Sequence, residues 1–93
     1  DKCKAILDAE QAPFPWTIRS WRKGDRFCPI GMKGSKLLSD YFIDRKFTQR
    51  QKEDMRVVTI GGQIAWLMGE RVDARFAADA RSEEVYVIEP VQE

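Results

Sequence analysis

Eight basic side chains crowd one glycine-bearing stretch, RSWRKGDRFCPIGMKGSKLLSDYFIDRK: Arg19, Arg22, Lys23, Arg26, Lys33, Lys36, Arg45 and Lys46. Only three carboxylates, Asp25, Asp40 and Asp44, share it, so the stretch carries +5. The remainder of the chain holds eight basic and twelve acidic residues, and the net charge is only +1. Positive charge is therefore concentrated rather than spread. The chemistry this suits is electrostatic. Lys and Arg neutralise phosphates and release their counterions, and mobile glycine backbone offers N–H groups to the same oxygens. An acidic protein surface is the other kind of partner that fits.

Covalent chemistry is poorly supplied. There is no His, and Cys3 and Cys28 are separated by 24 residues, so a Cys–His nucleophilic pair and an ordinary zinc ligand set are both excluded within this chain. Two free thiols fit the composition better than a disulfide. Gly31-Met32-Lys33-Gly34-Ser35-Lys36 looks superficially like a nucleotide phosphate loop, but that motif needs Gly-Lys-Ser/Thr at a longer glycine spacing, and here the order is Gly-Ser-Lys. The milder reading is that Ser35 caps the helix that follows, leaving its N–H groups facing the loop. Asp40 and Asp44 stand four residues apart on that helix; with Lys36 and Arg45 beside them they read as a solvated charged face. No acid–base pair can be placed in one site.

The elements that position the basic stretch follow from periodicity. Lys2 to Glu10 alternates as a first strand, with Cys3, Ala5 and Leu7 on one side. Pro13 and Pro15 hold Phe14 extended. Trp16 to Arg22 is rich in β-formers, though Ile18 and Trp21 fall on opposite faces, which a bulge or burial on both faces reconciles. Lys23-Gly24-Asp25-Arg26 is a turn, with a plain surface role and a phosphate-binding role both open. Phe27, Pro29 and Ile30 are expected to pack the inner side of the loop. From Lys36 a helix is predicted, burying Leu37, Leu38, Tyr41 and Phe42. Arg45 and Lys46 fall in its last turn, where cations suit the helix dipole as well as they suit a polyanion.

Thr48 and Gln51 form a capping box for a second short helix, almost wholly polar, which needs Phe47 and Met55 as anchors. Arg56 to Ile60 and Gln63 to Met68 are strands joined by Gly61-Gly62, a two-residue hairpin signal. Trp66 reads as core rather than as a base-stacking platform, since such platforms are exposed. Gly69-Glu70 turns the chain. Arg71 to Ala77 fits strand and helix equally, and Ala77 to Glu83 is loop or a helical turn. Glu84 to Glu89 is a last strand, ended by Pro90. Its inward pair is either Val85 with Val87 or Tyr86 with Ile88.

Ninety-three residues, 43% hydrophobic and 33% charged, make one α+β domain over 1–93, compact and β-rich, with about five strands and two short helices. The longest apolar run, Ile64 to Met68, is far too short to cross a membrane. The chain starts at Asp1 without a Met or a signal-like stretch, and is expected to be a cut-out of something longer.

Three ordered blocks carry a resemblance: Arg22-Lys23-Gly24-Asp25-Arg26, Pro29-Ile30-Gly31-Met32-Lys33-Gly34-Ser35-Lys36, and Leu38-Ser39-Asp40-Tyr41-Phe42-Ile43-Asp44-Arg45-Lys46. Together they resemble the C-terminal domain of bacterial tRNA(Ile) lysidine synthetases, over about 16–76. The sequence departs from that pattern at Leu37, at Phe47-Thr48 and at Arg56. The resemblance implies a fold similar to a domain of the phenylalanyl-tRNA synthetase β subunit, and a cytoplasmic protein. It implies that the parent enzyme uses ATP, with Mg, to adenylate C2 of the wobble cytidine before the lysine amine displaces AMP. That chemistry belongs to an N-terminal domain with a Ser-Gly-Gly-x-Asp-Ser loop, which is absent here, so this fragment is implied to be non-catalytic and free of cofactor or metal. Its implied role is to grip tRNA(Ile), on the acceptor-stem side, beside the catalytic domain of the same chain. The residues that match are Arg22, Arg26, Lys33, Lys36, Arg45 and Lys46, with Arg19 and Lys23 flanking. The alternative reading is a protein–protein or interdomain docking module with a basic surface.

Overall fold

The computed structural model describes residues 4–89. The readings made for Cys3 and Pro90 lie outside them. In chain order the elements are β1 (Ala5–Asp8), β2 (Trp16–Ser20), β3 (Arg26–Phe27), β4 (Lys36–Leu37), α1 (Leu38–Asp44), α2 (Gln49–Asp54), β5 (Arg56–Ile60), β6 (Gln63–Leu67), β7 (Arg71–Val72) and β8 (Val85–Ile88). The five longer strands are the five expected from periodicity. Three two-residue strands, β3, β4 and β7, are additional.

A four-stranded antiparallel sheet, in the order β2-β5-β6-β7, forms the middle layer. Gly61 and Gly62 join β5 to β6 with φ of +60° and +82°, the backbone that a two-residue hairpin of the observed twist demands. Both central strands are buried on both faces, which explains their unbroken apolar runs. A bulge sets the alternation off: Val58 pairs with Trp66 and Thr59 with Ile64, leaving Ala65 extra. Ala65 and Trp66 consequently join the same core cluster, and the Ala65 carbonyl accepts the Asp73 N–H at 2.8 Å.

Each face of this sheet has its own core. On one side β1 pairs with β8, and Ala5, Leu7, Ala12 and Phe76 pack on Val58, Ile60, Ala65 and Trp66. In β8 it is Tyr86 and Ile88 that face inward, while Val85 and Val87 are exposed. On the other side Leu38, Tyr41 and Phe42 of α1 pack with Phe27 and Met55 on Val57, Ile64 and Leu67. Full burial of each such ring or aliphatic side chain contributes roughly 1.5–3 kcal/mol. The polar α2 is held as expected by its capping box, by buried Met55 and by Phe47, which stacks on Phe42 at 4.8 Å. Trp21 adds an anchor by donating its indole N–H to the Lys52 carbonyl at 2.8 Å.

Several expectations are corrected. Helix α1 begins at Leu38, because Lys36 and Leu37 pair with Phe27 and Arg26 across β3–β4. Leu37 is accordingly half-buried rather than core. Ser35 does not cap α1; the Leu38 N–H donates instead to the backbone carbonyl of Asp25 at 2.9 Å. Strand β2 is not buried on both faces: it is a sheet edge with Ile18 exposed, and Trp21 lies beyond its end. Ile30 is exposed, while Phe27 and Pro29 face inward. Arg71 to Ala77 is neither helix nor a full strand. It pairs for two residues and then turns around Asp73.

Candidate functional site

The basic stretch folds around two short carboxylate-centred frames. At the Lys23–Arg26 turn Gly24 takes φ +94°, and the Asp25 N–H donates to the Arg22 carbonyl at 3.0 Å. The Asp25 carboxylate accepts a two-pronged contact from Arg19, both bonds 3.0 Å, and the Arg22 N–H at 2.6 Å. Partial burial pushes the Asp25 carboxyl up, but the Arg19 fork and the Arg22 N–H outweigh it, and it sits below the usual carboxylate range. Arg19 is correspondingly held above its ordinary value, chiefly by its bonds to Asp25.

The second frame is wholly buried at its centre. Asp73 accepts the Cys28 N–H at 2.7 Å, the Arg75 N–H at 2.8 Å, and the Arg75 guanidinium at 3.0 and 2.9 Å. Its bonds to Arg75 raise that guanidinium above its ordinary value. This frame ties the β3 exit to the chain after β7, because Pro29 bridges Asp73 and the Ala74 N–H donates to the Cys28 carbonyl at 2.7 Å.

The six sequence-predicted residues divide by what their charges do. Arg22, Lys33 and Lys46 are exposed and make no side-chain ion pair among the described residues. Arg26 is exposed and commits only Nε, to Ser35 Oγ at 3.1 Å. Lys36 is bound by the Asp44 carboxylate. Arg45, at the C-cap of α1, donates Nε to Glu70 Oε1 at 2.8 Å, the oxygen that also accepts the Tyr41 hydroxyl at 2.9 Å. Burial, then that bond, pushes the Tyr41 hydroxyl up to about 12. Lys46 lies past the helix in the left-handed region at φ +57°.

Arg26 of β3 and Lys36 of β4, one residue out of register with each other, line one cleft of about 360 Å³ with Asp40 and Asp44. Arg26 and Ser35 also line a second cleft of about 450 Å³, with Arg19, Gln63 and Arg75. Arg22, Lys33, Arg45 and Lys46 line neither. Arg75 escaped the sequence reading. The signal was present in Asp73-Ala74-Arg75, a spacing at which one carboxylate takes both the N–H and the side chain two residues on. Among the described residues no group of His, Cys, Asp or Glu is placed to hold a metal, and no helix is long and apolar enough to cross a membrane. What the arrangement can do is bind an anion.

Residues 16–89 match the family model described as the TilS substrate C-terminal domain. The tRNA(Ile)-lysidine synthase of Parabacteroides distasonis is 45% identical over 84 residues, covering 90% of this chain and 19% of the relative. That of Bacteroides thetaiotaomicron is 44% identical over 87 residues, covering 94% and 20%. A crystal structure of a TILS C-terminal domain superposes with a TM-score of 0.76 at 26% identity, covering 92% of this chain and 66% of that one. The chain thus spans about a fifth of the length of the curated relatives it matches.

Proposed function

This chain belongs to the TilS substrate C-terminal domain family, and on that premise we propose that it is the tRNA-gripping part of a tRNA(Ile)-lysidine synthase. The observation that carries the reading is the placing of Arg26 on the ridge between two adjoining clefts, with Lys36 in one and Arg75 in the other. Lys33 and Arg22, both exposed, extend the positive surface, although Arg22 also acts through space on the Asp25 carboxylate. Such contacts hold a phosphate backbone in place and are largely blind to sequence. Lys36 and Arg45 begin from ion pairs with Asp44 and Glu70, so each contributes less than its full charge to a phosphate. The ligase chemistry, with ATP and Mg, resides in the rest of the parent protein, in the cytoplasm; this part brings no cofactor. The acceptor-stem side of tRNA(Ile) is the expected contact.

Four phosphate contacts from Arg22, Arg26, Lys33 and Lys36 give a log–log salt slope of about −3 and a fall on the order of 50-fold between 50 and 200 mM salt. Titrating labelled tRNA at several salt concentrations tests this. Lys33→Ala is expected to weaken all tRNAs equally and to reduce the slope by about one unit, and Lys36→Ala by less. Absence of salt-dependent binding sinks the reading.

A docking module is the second reading, favoured by the outer face of β1–β8, where Ile6, Val85 and Val87 are 45–58% exposed. An adjacent domain of the same parent fits there. If that is the whole role, Val87→Asp disturbs assembly with that domain while Lys33→Ala does not, and no salt-dependent tRNA binding is measured.

A further inference from the structure

Behind the basic cleft lies an aromatic one. Phe14 is 64% exposed, although it is among the largest apolar side chains of the protein. Its ring is held rather than loose. It stacks on Trp16 with centroids 4.4 Å apart and 23° between planes, and meets the Tyr86 ring at 5.5 Å. Trp16 is fixed in turn by its indole N–H, which donates to the Ala12 carbonyl at 3.0 Å. Phe14 and its flanking prolines line a cleft of about 340 Å³ with Ile60 and Phe76. Gly61 borders this cleft, Gly62 borders the basic one, and Gln63 lines both. A Cβ at either glycine would meet nothing within 4 Å, so the hairpin tip that borders both clefts is open.

Resting on the tRNA-binding reading, we infer that the two clefts form one groove for an unpaired RNA nucleotide, its phosphate beside Arg26 and Arg75 and its base stacked on Phe14. Arg26 retains both terminal guanidinium nitrogens for that phosphate, since only its Nε is bonded. Gln63, exposed at the junction, has donors and acceptors for a base edge. A duplex does not use this groove, because paired bases are stacked and offer no free face; a single-stranded end or bulge does. A preorganised exposed ring next to guanidinium groups is how single strands are held without sequence preference.

The test compares two fluorescent probes on this 93-residue chain: a blunt RNA hairpin, and the same hairpin with a short single-stranded 3′ tail. The tailed probe is expected to bind the wild type at least about fivefold more tightly than the blunt one. Phe14→Ala abolishes that advantage and leaves blunt binding unchanged; Phe14→Trp retains it; Arg26→Gln weakens both probes. Circular dichroism checks that each variant folds, and the exposure of Phe14 makes the Trp variant informative in its own right. Equal binding of both probes to the wild type, or an advantage that survives in Phe14→Ala, overturns the groove while leaving the tRNA-gripping role standing. If neither probe binds, both fall, and a Phe14 effect seen only on association with a protein assigns the patch to docking.

Discussion

The two arginine–aspartate forks are built alike and placed differently. Asp25 and Asp73 each accept a guanidinium in two-pronged fashion and at least one backbone N–H. Asp25 holds a turn together from within 6 residues, and its side chain keeps 14% of its exposure. Asp73 has none, and while holding Arg75 it reaches Cys28 across 45 residues of chain. The difference separates local shape from global closure. One fork aims the Arg22–Arg26 turn; the other holds two layers of the fold in register.

The largest expected effect breaks the comparison at its buried member. Asp73→Ala strands the Cys28 and Arg75 N–H groups, and is expected to cost about 2–4 kcal/mol in urea unfolding. It falls at the lower end for a broken buried pair because the Arg75 side chain, 42% exposed, can re-solvate. Gly24→Ala comes next, at about 1–2 kcal/mol, since φ +94° is foreign to a residue with a Cβ. Asp25→Ala is expected to cost only about 1 kcal/mol, because water reaches the groups it leaves. Equal losses at Asp25 and Asp73 would show that burial does not distinguish the forks.

Two pH experiments sharpen the contrast further. The Asp25 carboxyl is held below its unfolded value, so its contribution is complete above about pH 4 and is lost as the pH falls through the lower folded value. Thermal melts at acid pH should show a smaller decline in Asp25→Asn than in the wild type. Glu70 offers a third carboxylate for comparison, shared by a phenol and a guanidinium. Tyr41 is raised from 10.0 to about 12, so its contribution is complete below 10 and is lost as the pH rises through that interval. Tyr41→Phe should remove this alkaline loss.

Elements that repeat a short period were legible in the sequence. The Gly61-Gly62 hairpin, the Thr48/Gln51 capping box and the Leu38, Tyr41, Phe42 face all stand where local spacing puts them. Those made by distant pairing were not. Two-residue strands such as β3 and β4 have no period to read, and the backbone carbonyl of Asp25 took the capping role that local rules assign to Ser35. The candidate site was legible as a concentration of charge. Which charges were already committed was not, because Asp44 and Glu70 lie 8 and 25 residues from the basic groups they bind.

The pairing of β1 with β8 has a kinetic consequence. Ala5 faces Ile88, so this two-stranded unit joins opposite ends of the described chain. Forming it requires closure of nearly the whole domain, the most entropically demanding contact of the fold. The middle layer and α1 can assemble first from nearer partners, with the β1–β8 flap laid over Trp66 and Phe76 afterwards. A unit that closes late, and whose outer face remains wet at Ile6, Val85 and Val87, is also the one that opens most readily. Hydrogen exchange should therefore find the amides of β1 and β8 less protected than those of β5 and β6, so that the domain loosens from the flap inward while its charged face stays formed.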